Sequence, residues 1–209
     1  MSGNRGGAIL LDTAPELPSD DFTLLERLDW GVATADFLAQ LIQEIPWRQE
    51  QITLFGKAHM QPRLICWMGD PECAYRYSGK HWVPVCWHPC VTDLRARVEA
   101  HADMRFNSVL LNYYRDGQDS MGFHSDDEPE LGAQPVIASL SLGATRTMHL
   151  RHRYDRRISI QRLLLTDGSL LVMRGNSQRD WKHAIPKSSM VSGARINLTF
   201  RSIHDPALI

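Results

Sequence analysis

The sequence predicts an α+β fold, with two helices near the start and a strand-rich C-terminal half large enough for a two-sheet jelly roll. Three observations carry that expectation. Apolar residues recur at helical spacing only before about residue 105, they alternate thereafter, and Gly, Asp and Asn turn signals punctuate the alternating runs. With 209 residues and 43% hydrophobic side chains, the chain suits one domain with one full core. Charged residues at 22% and aromatics at 8% exclude a disordered composition.

Residues 1–20 combine Gly, Pro and acids with little periodicity and are expected to form a flexible arm. Residues 21–209 then form the single domain. A helix is expected over 35–45, where Phe37, Leu38, Leu41, Ile42 and Ile45 make one apolar stripe. Thr34 is placed to cap it and Pro46 to stop it. A second helix is expected over 92–104, with Leu94 and Val98 on one face. Strands follow at 107–114, 136–142, 146–151, 158–164, 169–173 and 195–202. There is no internal repeat and no low-complexity tract.

The net charge of −1 gives no hint of a polyanionic partner, but its distribution does. Arg146, Arg151, Arg153, Arg156, Arg157 and Arg162, with His149 and His152, stand against Asp155 alone. Such a strip can bind phosphates with strong salt dependence, or it can be a solvated hairpin. Both alternatives stay open at this point. No leader-like segment is seen, since the only early apolar run is Ile9-Leu10-Leu11, and no run could span a membrane. An intracellular chain with reduced thiols and no membrane partner is therefore expected. Cys86-Trp87-His88-Pro89-Cys90 lacks the paired short spacings of a zinc finger, so a structural zinc is not expected.

His124-Ser125-Asp126 is the first candidate site, because residues i and i+2 of an extended backbone project to the same face. The triplet alone is weak, arising by chance in about every second chain of this length. A second triplet, His101-Ala102-Asp103, lies on the expected helix, where i and i+2 point about 200° apart and cannot chelate together. His183 is the best third ligand, and two imidazoles with one carboxylate suit a non-haem Fe(II) oxygenase. In the last strand, Ile196, Leu198 and Phe200 share one face, and Arg195, Asn197, Thr199 and Arg201 share the other. The two arginines lie about 20 Å apart along a straight strand, so they could serve opposite ends of a dicarboxylate only by converging. An edge strand with a charged outer face is the alternative.

Taken together, Asn112-Tyr113-Tyr114, the segment from His124 to Pro129, the segment from Ala138 to Gly143, His183, and the segment from Arg195 to Arg201 resemble the AlkB family of dioxygenases. These five motifs occur in family order, and the resemblance runs over about residues 53–203. The resemblance implies a double-stranded β-helix (jelly-roll) core over about 105–203 and a nucleotide-recognition lid over about 50–90. By similarity, His124, Asp126 and His183 would be the metal ligands and catalytic centre for Fe(II). Arg195 and Tyr114 would take the distal carboxylate of 2-oxoglutarate, Arg201 and Asn112 the iron-chelating end, and Asn197 would support both. The cosubstrates would be 2-oxoglutarate and O2.

Two segments resemble the branch acting on double-stranded DNA. Thr53-Leu54-Phe55-Gly56-Lys57 is similar to a hairpin that wedges an apolar side chain into the gap left by a flipped base. Tyr75-Arg76-Tyr77-Ser78-Gly79 resembles a lid in which Tyr77 and His124 sandwich the base, with Tyr75 nearby. Arg63, Asp127 and Glu128 would complete the substrate contacts, the two acids favouring a cationic methylated base. The implied activity is DNA repair by oxidative demethylation of 1-methyladenine- and 3-methylcytosine-type lesions, by a monomer in the cytoplasm, or in the nucleus of a eukaryote. An RNA demethylase, a protein or small-molecule hydroxylase with the same iron site, and a metal-free binding module are the alternatives.

Overall fold

The computed structural model describes residues 17–26, 28–54, 56–73, 75–77 and 80–204. In chain order the elements are strand β1 (Phe22–Leu25), helix α1 (Thr34–Glu44), strands β2 (Gln51–Leu54), β3 (Lys57–Met60), β4 (Leu64–Gly69), β5 (Tyr75–Tyr77) and β6 (Lys80–Trp82), and helix α2 (Pro89–Ala102). There follow β7 (Ser108–Tyr114), β8 (Met121–His124), β9 (Ile137–Gly143), β10 (Arg146–His152), β11 (Gln161–Leu165) and β12 (Leu170–Met173). The one-turn helix α3 (Ser177–Asp180), β13 (Trp181–Ile185) and β14 (Arg195–Arg201) complete the order.

Two antiparallel sheets result. The larger runs β1-β12-β9-β14-β7-β4 and the smaller β11-β10-β13-β8, while β2-β3 and β5-β6 are separate hairpins. Between the sheets lies a core that includes Tyr114, Ile137, Met148, Leu150, Leu171 and Trp181. On the other side of the larger sheet, Leu41 of α1 and Leu94 and Val98 of α2 pack with Ile196, Leu198 and Phe200 of β14. The alternation of β14 thus sends its apolar face to the helices and its polar face into the sandwich. The expected jelly roll is present.

Several boundaries move for physical reasons. Thr34 is not the cap of α1 but its first helical residue. Ala33 is the extended residue before it, and the Thr34 hydroxyl reaches Asp167 Oδ2 at 2.5 Å. Helix α2 starts earlier than expected because Pro89 needs no backbone donor in the first turn. It ends at Asp103, whose left-handed φ of 47° stops the helix. Strand β11 enters its ladder only at the Leu150↔Gln161 pair, so residues 158–160 stay outside it. Strand β14 is no edge: β7 and β9 flank it on both sides. At the end of β9, Gly143 (φ 87°) lies where a Cβ would come within 2.4 Å of the Ala194 carbonyl, so only glycine fits.

Candidate metal and cosubstrate site

His124 closes β8 and His183 is its cross-strand partner on β13, with ring centroids 4.1 Å apart. Asp126 lies two residues past β8. One ligand atom from each of His124, Asp126 and His183 falls within 4.8 Å of the others, the only such group of three among the described residues. The triplet at 101–103 and the segment at 86–90 assemble nothing comparable there.

The protonation states suit a cation. His124 Nδ1 lies 3.0 Å from the Gly122 carbonyl and donates to it, which leaves Nε2 with its lone pair free. Burial lowers the pKa of both imidazoles, and burial together with the neighbouring His124 brings His183 down to about 3. Both rings are therefore neutral at physiological pH. Burial pushes the Asp126 carboxyl up, but Arg201, His183 and His124 outweigh it and hold the carboxyl below its ordinary value. Asp126 is 3% exposed, and its Oδ1 accepts from Arg201 Nη2 at 2.7 Å. Its Oδ2 is buried without a hydrogen-bond partner. A buried anionic oxygen with no donor, beside two neutral imidazoles, has the chemistry that a cation site requires.

Next to it lies a narrow cleft lined by Asn112, Tyr114, Arg195, Asn197 and Arg201 with the three candidate ligands. Arg195 is 1% exposed, and its Nη2 donates to Ser141 Oγ at 2.9 Å. Its Nε and Nη1 are buried without partners, as is Arg201 Nε. Burial lowers the Arg195 pKa to about 10, which still leaves it charged. Two guanidiniums on one strand thus turn unmet donors inward, as a dicarboxylate would require. The Arg195 guanidinium carbon sits 5.2 Å from the Tyr114 ring centre. Asn112 accepts from Arg63 Nε at 2.7 Å and lies opposite Asn197 in the β7–β14 ladder. Asn197 binds Ser139 Oγ and the Leu140 carbonyl and accepts from Thr199. It therefore acts as a strut tying β14 to β9.

Arg146 requires a correction. It is not part of the surface strip but is buried, donating to the carbonyls of Asp116, Asp119 and Pro186, with its guanidinium carbon 5.5 Å from the centre of the Tyr114 ring. The rest of the strip faces solvent or a shallow groove. Arg151 stacks on Phe123 at 4.0 Å, Arg157 pairs with Asp155 at 2.7 Å, and Arg151, Arg153, Arg156 and Lys182 line the groove.

Asp127 is exposed and pairs with Arg153 at 2.6 Å, and Glu128 is exposed beside it. Tyr75 and Tyr77 lie on β5, where they pair with Trp82 and Lys80 of β6. Phe55 lies outside the described residues. One contributor escaped the sequence altogether: Gln178 of α3, whose Oε1 accepts the Asp126 backbone N–H at 3.0 Å. No motif surrounds it that could have marked it.

Residues 31–201 match the 2OG-Fe(II) oxygenase superfamily. The chain is 41% identical to the mouse (Mus musculus) alpha-ketoglutarate-dependent dioxygenase alkB homolog 3 over 88% of its own length and 65% of the relative's. It is 38% identical to the mouse DNA oxidative demethylase ALKBH2, over 88% of this chain and 80% of that one. A solved structure of OsALKBH1 shares the fold, with a TM-score of 0.57 at 16% identity, covering 90% of this chain and all of that one. The chain spans a little under two thirds of the length of the homolog 3 relatives it matches. Among the described residues, no helix is long and apolar enough to cross a membrane.

Proposed function

Because the chain belongs to the 2OG-Fe(II) oxygenase superfamily, and within it to the AlkB family, we propose that it oxidatively demethylates N-alkylated nucleic-acid bases of the 1-methyladenine and 3-methylcytosine type. The observation that carries this is the set of unmet groups in one cleft: the unpartnered Oδ2 of Asp126, whose carboxylate clusters with two neutral imidazoles, and the free donors of Arg195 and Arg201. These residues fit the superfamily's Fe(II) and 2-oxoglutarate. His124, Asp126 and His183 would hold the metal. Arg195 with Tyr114 would hold one carboxylate of 2-oxoglutarate, and Arg201 with Asn112 the other.

When bound, iron, 2-oxoglutarate and O2 supply the oxidising chemistry, in which the cosubstrate becomes succinate and CO2 and the N-methyl carbon leaves as formaldehyde. The protein contributes placement. Strand β14 fixes both guanidiniums, and the helices and sheets keep water from the inner end of the cavity. Asp127 and Glu128, one and two residues past the metal ligand, favour a cationic methylated base over a neutral one. Arg63 is buried and reaches the cleft only through its hydrogen bond to Asn112. Tyr75 and Tyr77 would stack on the extruded base, and Phe55 would fill the gap behind it. The exposed arginines beyond β10 would hold phosphates.

DNA is the favoured substrate because a relative named for DNA oxidative demethylation aligns with most of the chain. A monomer working where DNA lies, in the cytoplasm or in a nucleus, follows from the same reading. The test is succinate and formaldehyde release with methylated single- and double-stranded DNA and RNA oligonucleotides. Matched release of both products with DNA is expected. Equal release with RNA would broaden the substrate, and release with a protein or small molecule but no oligonucleotide would overturn the proposal.

A further inference from the structure

We infer that Gln178 is a positioning residue for the metal-ligating carboxylate, and that the single turn of α3 braces the whole Asp126–Asp127 segment. The inference rests on the iron site proposed above. Asp126 follows β8 in a stretch without ladder hydrogen bonds, so something other than a sheet must hold its peptide. That partner is Gln178, 2% exposed, whose Oε1 accepts the Asp126 N–H at 3.0 Å. The amide is itself held: its Nε2 lies 3.3 Å from Ser177 Oγ and 3.3 Å from Met173 Sδ. With both ends engaged, the side chain has little freedom to swing.

The same residue reaches the substrate side through its main chain. Its carbonyl accepts from Arg153 Nη1 at 3.3 Å, and that nitrogen also donates to Asp127 Oδ2 at 2.6 Å. Arg153 is pinned once more by its own N–H on the Asp180 carbonyl at 2.7 Å. Helix α3 thus contacts Asp126 by side chain and Asp127 by way of Arg153, and the chain then runs directly into β13 with His183. Arg201 fixes one oxygen of the carboxylate and Gln178 fixes the backbone behind it. Together they hold the carboxylate in place and leave Oδ2 without a hydrogen-bond partner. Partners of metal ligands contribute roughly 10- to 100-fold in metal affinity, which sets the effect to look for.

The experiment is Co(II) titration of the metal-free protein, followed by the visible spectrum, which reports coordination directly. Wild-type protein binding Co(II) with loss of binding in Asp126→Ala verifies the site itself. Gln178→Met keeps the length and removes the acceptor; its Co(II) dissociation constant is expected to rise at least about tenfold with an altered spectrum. Gln178→Glu restores an oxygen acceptor and should recover most of both. Ser177→Ala removes one of the two contacts at Nε2 and keeps the Oε1 acceptor, so its Co(II) dissociation constant should rise less than that of Gln178→Met. Should Gln178→Met not fold, Gln178→Asn withdraws the oxygen by one methylene and is expected to show the same loss. A purely structural role would lower the melting temperature in all variants while leaving Co(II) affinity and spectrum at wild-type values. That result, or a Gln178→Glu variant as impaired as Gln178→Met, would overturn the inference.

Discussion

The interior of the sandwich and the outer face of its smaller sheet are both rich in arginine, yet they treat the same side chain in opposite ways. Inside, Arg146 and Arg195 are buried and Arg201 nearly so. Removing a guanidinium from water costs several kcal/mol unless partners replace the solvent. Arg146 meets that cost with three carbonyls, whereas Arg195 is left with two unmet donors and Arg201 with one. Outside, Arg151, Arg156 and Arg162 face solvent, where single ion pairs are screened and contribute little. Arg146 is thus a structural tie, whereas Arg195 and Arg201 keep the unmet donors on which the proposed cosubstrate site rests. The outer ones, if they meet a polyanion as proposed, would act collectively rather than singly.

The sharpest break in this contrast should come from Asp126→Ala. It removes the one anionic ligand and strands Arg201 beside the empty position, so turnover should vanish and metal binding should weaken severely. Asp103→Asn, in the other His-x-Asp triplet, should leave both unchanged. Metal titration and product release measure this pair, and an active Asp126 variant with normal metal affinity would remove the metal assignment.

Arg195→Ala and Arg201→Ala should each raise the half-saturating 2-oxoglutarate concentration roughly ten- to a hundredfold, as expected for a lost hydrogen bond to a charged group worth about 1.5–3 kcal/mol. They should differ in one respect. Arg201 also holds Asp126, so only its variant should lose metal affinity. Unchanged titrations in both would reduce the polar face of β14 to a structural role.

Phe55→Ala should leave metal binding, 2-oxoglutarate binding and turnover of a methylated nucleoside intact, and lose activity selectively on duplex DNA, where a base must be unstacked first. Matched oligonucleotides and a thermal melt separate this from a packing role. An equal loss on single and double strands with a lowered melt would identify Phe55 as a core residue.

The smallest effect per residue belongs to the outer face. Neutralising Arg151, Arg153, Arg156 and Arg157 together should flatten the salt dependence of DNA binding by up to about 0.9 per lost phosphate contact. Arg151 and Arg156 should account for most of it, because Arg153 and Arg157 already have carboxylate partners. A slope unmoved by all four substitutions would make the strip an ordinary solvated hairpin.

Much of this was legible in the sequence because it depends on local period. The alternation of β14, the stripe of α1 and the i, i+2 geometry of His124 and Asp126 are properties of a few neighbouring residues. The short strands β8 and β13 were not expected as strands, since four or five residues with a glycine or a charge among them show no clear alternation. Arg146 was misplaced for a related reason. The strip that groups it with Arg151, Arg156, Arg157 and Arg162 is exposed, but strand direction turns Arg146 inward onto carbonyls of distant loops.

The sequence by itself determined the candidate ligand types, the two-faced last strand and the division into helices followed by strands, because each follows from side-chain chemistry and backbone period over short range. Only the tertiary structure decided that His183 stands opposite His124, that Arg201 holds Asp126, and that Gln178 reaches the Asp126 peptide. Those relations join residues between 52 and 75 positions apart, or across a strand pair. Their distances are set by sheet register and by the burial of the core, which no local pattern in the chain records.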